Sequence, residues 1–106
     1  MDTVWTELFF RGIIEAARHG CLVRSYQEYA KTEEALQAFL SFSDYGFCYF
    51  DKGLILYNAD QSKEEAVTTI WHEVGHIVLR TTDEEKAEEY AKRIIDKAIT
   101  RSEKAG

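Results

Sequence analysis

Residues 62–80 read Ser-Lys-Glu-Glu-Ala-Val-Thr-Thr-Ile-Trp-His-Glu-Val-Gly-His-Ile-Val-Leu-Arg, and the rest of the chain is placed around them. Ser62 with Glu65 three residues on forms a capping box, and Val67, Ile70, Trp71, Val74 and Val78 follow at i, i+3, i+4, i+7 and i+11. This spacing predicts an amphipathic helix over about 63–80. His72 and His76, four residues apart, project from one face of it, so both imidazoles can reach one ion at the ~2.0 to 2.1 Å that zinc requires. Glu73 lies about 100° further round the helix, placed to hold a water beside that ion and to act as a general base. With three histidines in 106 residues, the pattern HExxH arises in about one shuffled chain in a hundred, so chance is a poor explanation for it. Gly75 interrupts an apolar run that continues through Ile77, Val78 and Leu79. A glycine inside a helix costs ~1 kcal/mol relative to alanine, so a close backbone or substrate approach beside His76 is expected.

On the carboxyl side, Thr81, Thr82 and Asp83 offer N-caps, and Thr82 with Glu85 forms a second capping box. Ala87, Tyr90, Ala91, Ile94, Ile95, Ala98 and Ile99 then trace one stripe, predicting a long last helix over about 83–102. On the amino side, the apolar runs Phe47–Phe50 and Leu54–Tyr57 are joined by Asp51-Lys52-Gly53, with Gly53 suited to a left-handed loop position. They predict an antiparallel hairpin over about 47–58. Thr3–Arg18 carries apolar residues at helical spacing and ends at His19-Gly20, Cys21–Tyr26 suits a short strand, and Thr32–Phe42 suits a helix. The class is therefore α+β, with a short antiparallel sheet packed against an N-terminal helix, the histidine-bearing helix and a long C-terminal helix. The strand Leu54–Asn58 either offers an open edge on which an extended peptide can pair or is covered on both sides, with Cys21–Tyr26 the candidate cover.

A chain of 106 residues with 45% hydrophobic and 30% charged residues is expected to form a single domain, 1–106, around one core. No apolar run approaches the ~20 residues of a membrane span, and the N-terminus lacks the basic start of a signal peptide, so a cytoplasmic protein without membrane attachment is expected. A net charge of -6 disfavours direct binding to nucleic acid. Cys21 and Cys48 form no CxxC pair and read as reduced core thiols.

A catalytic zinc commonly takes three protein ligands, and the third must come from outside the HExxH turn. His19, Cys21 and Cys48 have simpler structural readings. Among Asp83, Glu84, Glu85, Glu88 and Glu89, residues Glu84 and Glu88 fall on the apolar stripe of the last helix, three before Ala87 and Ala91 respectively, while Glu85 suits the capping box.

The segment Gly46–Ala91 resembles the ImmA/IrrE family of zinc metallopeptidases. The resemblance rests on Gly53-Leu54-Ile55-Leu56-Tyr57-Asn58, on His72-Glu73-Val74-Gly75-His76, and on Glu84-Glu85-Lys86-Ala87-Glu88-Glu89-Tyr90-Ala91. It implies a small zincin-like domain of gluzincin type, with His72, His76 and Glu84 as ligands of Zn2+ and Glu73 as the base. The chain departs from the family pattern at Lys86, where an acid is common, at Glu88, where Asn or Asp is common, and after Ile95, where a Leu-Met-Pro-like continuation is missing. Glu88, one turn beyond Glu84, is expected to accept a hydrogen bond from a ligand imidazole. The resemblance implies an endopeptidase whose partner is a protein substrate, of the kind of a helix-turn-helix repressor of a phage or mobile element. Two rival readings are a zinc-containing module that sequesters its target without cutting it, as an anti-repressor or toxin-antitoxin partner, and a metal-free interaction domain.

Overall fold

The computed structural model describes residues 2–105. In chain order the elements are α1 (Asp2–Arg18), β1 (Leu22–Ser25), α2 (Tyr26–Tyr29), α3 (Glu33–Phe42), β2 (Gly46–Tyr49), β3 (Leu54–Tyr57), α4 (Lys63–Leu79) and α5 (Glu84–Ala105). Most boundaries follow local chemistry. The Ser62 hydroxyl accepts the Glu65 N–H at 3.1 Å and the Glu65 carboxylate accepts the Ser62 N–H at 3.2 Å, which starts α4 as expected. Thr32 caps α3 through the Ala35 N–H. A 3-10 turn over Phe50–Lys52 ends on Gly53 at φ 59°, ψ 49°, the left-handed conformation that closes the hairpin.

Two expectations are corrected. The helix α5 is not capped by a Thr82/Glu85 box: the Asp83 carboxylate accepts the N–H groups of Glu85 at 2.9 Å and Lys86 at 3.4 Å, and Asp83 takes the cap because a helix starting at Glu84 puts it next to the first turn. The sheet is also larger than a hairpin. Its order is β1-β3-β2, with β2 antiparallel to β3 and β1 parallel to it, Leu22 facing Leu54 through Ser25 facing Tyr57. The strand Leu54–Tyr57 is thus paired on both sides and offers no edge to a peptide. Its composition gives the reason: Leu54, Ile55 and Leu56 are all buried, and a strand that is apolar at successive positions belongs inside a sheet with both faces covered. The open edge toward the histidine helix belongs to β2 instead.

One face of the sheet packs against α1 and α4, with α5 packed on those two helices, and Leu8, Val23, Ile55, Val67, Ile70 and Val74 form the main core. The other face packs Tyr26, Leu54 and Leu56 under α3. Asn58, 8% exposed, ties the end of β3 into this frame. Its side-chain amide donates to the Asp44 carbonyl at 2.9 Å, and its side-chain oxygen accepts from the Gln27 amide at 2.9 Å. Among the described residues, no helix is long and apolar enough to cross a membrane.

Candidate metal centre

The site is built where α4 and α5 pack against each other. Gly75 makes this possible: a Cβ there would lie 3.0 Å from the Tyr90 ring, 3.1 Å from the Ala87 carbonyl oxygen and 3.2 Å from its Cα. The close approach expected beside His76 is therefore the backbone of α5. It carries Glu84, three residues before Ala87, to the imidazoles. The Nε2 atoms of His72 and His76 lie 2.7 and 2.8 Å from the same oxygen, Glu84 Oε1. The two rings sit edge to face with centroids 4.9 Å apart.

The second nitrogen of His76 decides what the first can do. His76 Nδ1 lies 2.8 Å from the Thr81 carbonyl oxygen, which can only accept, so Nδ1 carries the proton. In the neutral ring Nε2 then presents a lone pair, and it presents it to a carboxylate oxygen. Two acceptors at 2.8 Å require a cation between or upon them, which is either a second proton on the ring or a metal ion. Thr81 is brought there by the turn after α4, where Arg80 adopts a left-handed conformation (φ 52°) and the Thr81 N–H donates back to the His76 carbonyl at 3.1 Å. The turn thus fixes the tautomer that metal ligation by Nε2 needs.

Both carboxylates beside the histidines have displaced acidities. The hydrogen bond to His72 holds the Glu84 carboxyl below the usual carboxylate range, against a weaker opposing effect of desolvation and with further help from His76. Glu73 goes the other way: desolvation raises it to about 7, with Glu84 adding to the rise and the two imidazoles opposing it. The ligand-type atoms of His72, Glu73 and His76 lie within 4.8 Å of one another, but Glu84 approaches the imidazoles more closely. No protein donor among the described residues hydrogen-bonds the Glu73 carboxylate, which faces a cavity of about 590 Å³ shared with His76 and Glu84.

Other expected participants lie elsewhere. Glu88 is exposed and makes no hydrogen bond to an imidazole; it borders a smaller hollow behind His72, and the acceptor engaging His76 is the Thr81 carbonyl. The stripe that Glu84 and Glu88 were expected to share is buried only at its apolar members, and the Glu84 side chain is 73% exposed. Cys21 and Cys48 are free thiols. Burial above all, with Cys21 and Glu73 contributing, raises Cys48 to about 12, so it lines the cavity as a neutral group.

A family model described as the IrrE N-terminal-like domain, classed among the peptidases, matches residues 16–102. The chain belongs to this family. The ImmA/IrrE resemblance of the hairpin, the HExGH turn and the last helix agrees with that membership, which suggests a metallopeptidase-like function. No curated protein and no solved structure gives a significant match.

The donor set suits zinc. Ligands 2.0 to 2.1 Å from a tetrahedral ion are about 3.3 Å apart, so the imidazoles and Glu84 need to separate by only about 0.6 Å from their present contacts. The exposed Glu84 side chain can yield that distance without disturbing the core. Two features of the site were not read from sequence. The Thr81 carbonyl carries no sequence signal, since every residue has one; the aromatic wall of the cavity was visible only as apolar residues at helix and strand spacing.

Proposed function

We propose that the protein is a zinc endopeptidase acting on a specific protein substrate, a helix-turn-helix repressor of a phage or mobile element being the class its family resemblance favours. One observation carries the reading: His76 Nε2, held as a lone pair by the Thr81 carbonyl, converges with His72 Nε2 on one Glu84 oxygen, beside an unpartnered Glu73. His72, His76 and Glu84 would hold the ion. Zinc, when bound, supplies Lewis acidity, polarising a peptide carbonyl and making a water molecule more acidic.

The chain's own residues supply the rest. Glu73, raised toward neutrality by its apolar surroundings, accepts a proton from the attacking water as the new C–O bond forms. It then passes that proton to the leaving amide nitrogen as the C–N bond breaks, so the carboxylate is restored and the products are an acid and an amine. The net negative charge of the chain accords with a protein substrate in preference to nucleic acid.

The test is Glu73→Gln, with zinc measured by elemental analysis and cleavage followed on purified helix-turn-helix repressors. The variant retains zinc, because the amide removes no ligand, and loses ~10² to 10⁴ in cleavage rate. Unchanged cleavage assigns the base elsewhere. Full repressor inactivation by the variant without cleavage favours sequestration.

A further inference from the structure

Helix α1 is apolar around more of its circumference than the core uses. A helix that faces one core needs an apolar stripe of about 100°, and Val4, Leu8 and Ala16, all buried, supply a stripe of about that width. Beyond them, at ~100° per residue, Trp5, Phe9, Ile13, Ala17, Phe10 and Ile14 follow one another through about a further half-turn. Trp5, Phe9 and Ile13 are only partly buried against the core, while Phe10 is 56% exposed and Ile14 53%. The Phe9 ring lies 5.4 Å from that of Phe10 and 6.2 Å from that of Tyr57, both edge to face, so the apolar surface runs unbroken from the helix onto β3. Between Thr3 and Arg18 the charged residues are Glu7, Arg11, Glu15 and Arg18, and by the same period all four fall outside this arc. Lys63, whose ammonium donates to Thr6 Oγ1 at 3.0 Å, stands at its rim.

We infer that this face is an interface between two copies of the chain, with their α1 helices antiparallel across a two-fold axis. The charges beside the apolar arc select that occupant. Glu7 and Arg18 are eleven residues apart, which returns them to within about 20° of each other on one flank of the helix. In an antiparallel pair of identical helices each flank meets the same flank of the partner. A crossing centred midway between Phe10 and Ile14 therefore sets Phe10 against Ile14 of the other copy and, at both ends of the seam, Glu7 against Arg18. A parallel pairing would set like against like. Arg18 is free to take part, since its side chain is 71% exposed and its bond to Glu15, at 3.1 Å, is a surface contact within the helix. A lipid surface fits less well, because acids and bases alternate on the charged flank and the chain carries a net charge of -6, whereas helices that lie on membranes are rich in Lys and Arg there. None of the residues lining the cavity at Glu73 belongs to α1, so pairing leaves the candidate metal centre open, and the inference stands apart from the peptidase reading.

Sedimentation velocity of the full chain, from about 2 to about 200 µM, tests the pairing, with circular dichroism confirming that each variant is folded. A single-helix seam is small for a protein interface, so a monomer–dimer equilibrium with a Kd on the order of 10 µM is expected. Phe10→Ser combined with Ile14→Ser, at two exposed positions, should raise that Kd by ~100-fold. Glu7→Arg alone and Arg18→Glu alone should each raise it by ~10-fold, because each variant sets like charges together at both ends of its own seam. An equimolar mixture of those two variants should dimerise within about 3-fold of the parent, since the crossed pair restores opposite charges at both ends. A parent that stays monomeric throughout overturns the inference and leaves the face to a different partner. A dimer that Phe10→Ser with Ile14→Ser does not weaken places the interface elsewhere and overturns it as well. Charge variants that dimerise like the parent, or a mixture no better than its components, exclude the antiparallel pairing.

Discussion

The two faces of the sheet are finished differently. Toward α1, α4 and α5, the core members Leu8, Val23, Ile55, Ile70, Val74 and Ile95 are each at most 6% exposed. Toward α3, Tyr26, Leu54 and Leu56 are buried, but α3 itself contains no fully buried residue, and Phe42 at its end stands in water. Both regions border the same cavity. The first fixes His72, His76 and Glu73 on a helix that cannot shift without disturbing the core, and the second presents apolar surface that folding has left uncovered. Apolar area withheld from the core is area available to a ligand, whereas chemistry that depends on 2.7 and 2.8 Å contacts needs the rigid side.

Stability measurements break or sustain this contrast most directly. Ile70→Ala, in the well-packed half, should lower unfolding free energy by about 2 to 5 kcal/mol, the cost of a cavity in a close-packed core. Phe42→Ala, on the exposed half, should stay within about 0.5 kcal/mol of the parent. Urea unfolding of both variants measures the difference, and equal losses would mean that α3 belongs to the same core as α4.

Within the site, the contrast separates Glu84 from Glu88. Glu84→Ala is expected to weaken zinc binding by more than ~100-fold, since it removes the oxygen on which both imidazoles converge. Glu88→Ala should change affinity by less than about 3-fold, because its carboxylate reaches neither ring and falls outside the ~10 to 100-fold class of outer ligands. A chelator competition titration distinguishes the two. The reverse order would place the true ligand one turn along α5.

The helix-borne part of this site was legible in the sequence because it is local. His72, Glu73 and His76 are related by the period of one helix, and the Ser62 capping box sets where that helix begins. Gly75 announced a close approach, though not that α5 would be the neighbour. The sheet was less legible: β1 and β3 pair in parallel across some thirty residues of sequence, and no turn signal records a partner reached by so long a connection. The cap of α5 was displaced by one residue because Thr82 and Asp83 are both good caps and only the tertiary position of the helix chooses between them. The exposed state of Phe42 and Phe50 was hidden for a further reason. Periodicity shows which residues share a face, and it does not show whether anything covers that face.

A weaker consequence concerns pH in the metal-free protein. Glu73 titrates near 7 in the folded chain and near 4.5 in the unfolded one, so between these values the native state binds the extra proton and stability falls as pH rises through the interval. The loss is about 1 to 3 kcal/mol and is complete above pH 7. Glu73→Gln removes the charge that causes it. With a chelator present, the variant should match the parent at pH 4 and exceed its stability at pH 8. Equal stability at both pH values would show that the Glu73 carboxylate is solvated in the cavity and that the rigid half carries no such cost.

The smallest effect tests the turn that joins the two helices of the site. Arg80 is the non-glycine residue with positive φ among those described, and a left-handed conformation costs an L residue with a Cβ ~1 to 2 kcal/mol. Glycine removes that cost and adds about 0.5 to 1 kcal/mol of unfolded-state freedom, so Arg80→Gly should raise stability by about 0.5 to 1 kcal/mol. The side chain of Arg80 makes no ion pair among the described residues, so no broken salt bridge opposes the gain. Zinc affinity then reports whether the strain serves the site. The turn is held by the Thr81 N–H on the His76 carbonyl and by His76 Nδ1 on the Thr81 carbonyl, and glycine preserves both bonds because it adopts the same backbone angles. Unchanged affinity with a raised melting temperature is therefore the expected outcome. A drop in affinity would mean that the stiffness of a side-chain-bearing residue at position 80, and not merely the shape of the turn, keeps the His76 lone pair aimed at Glu84.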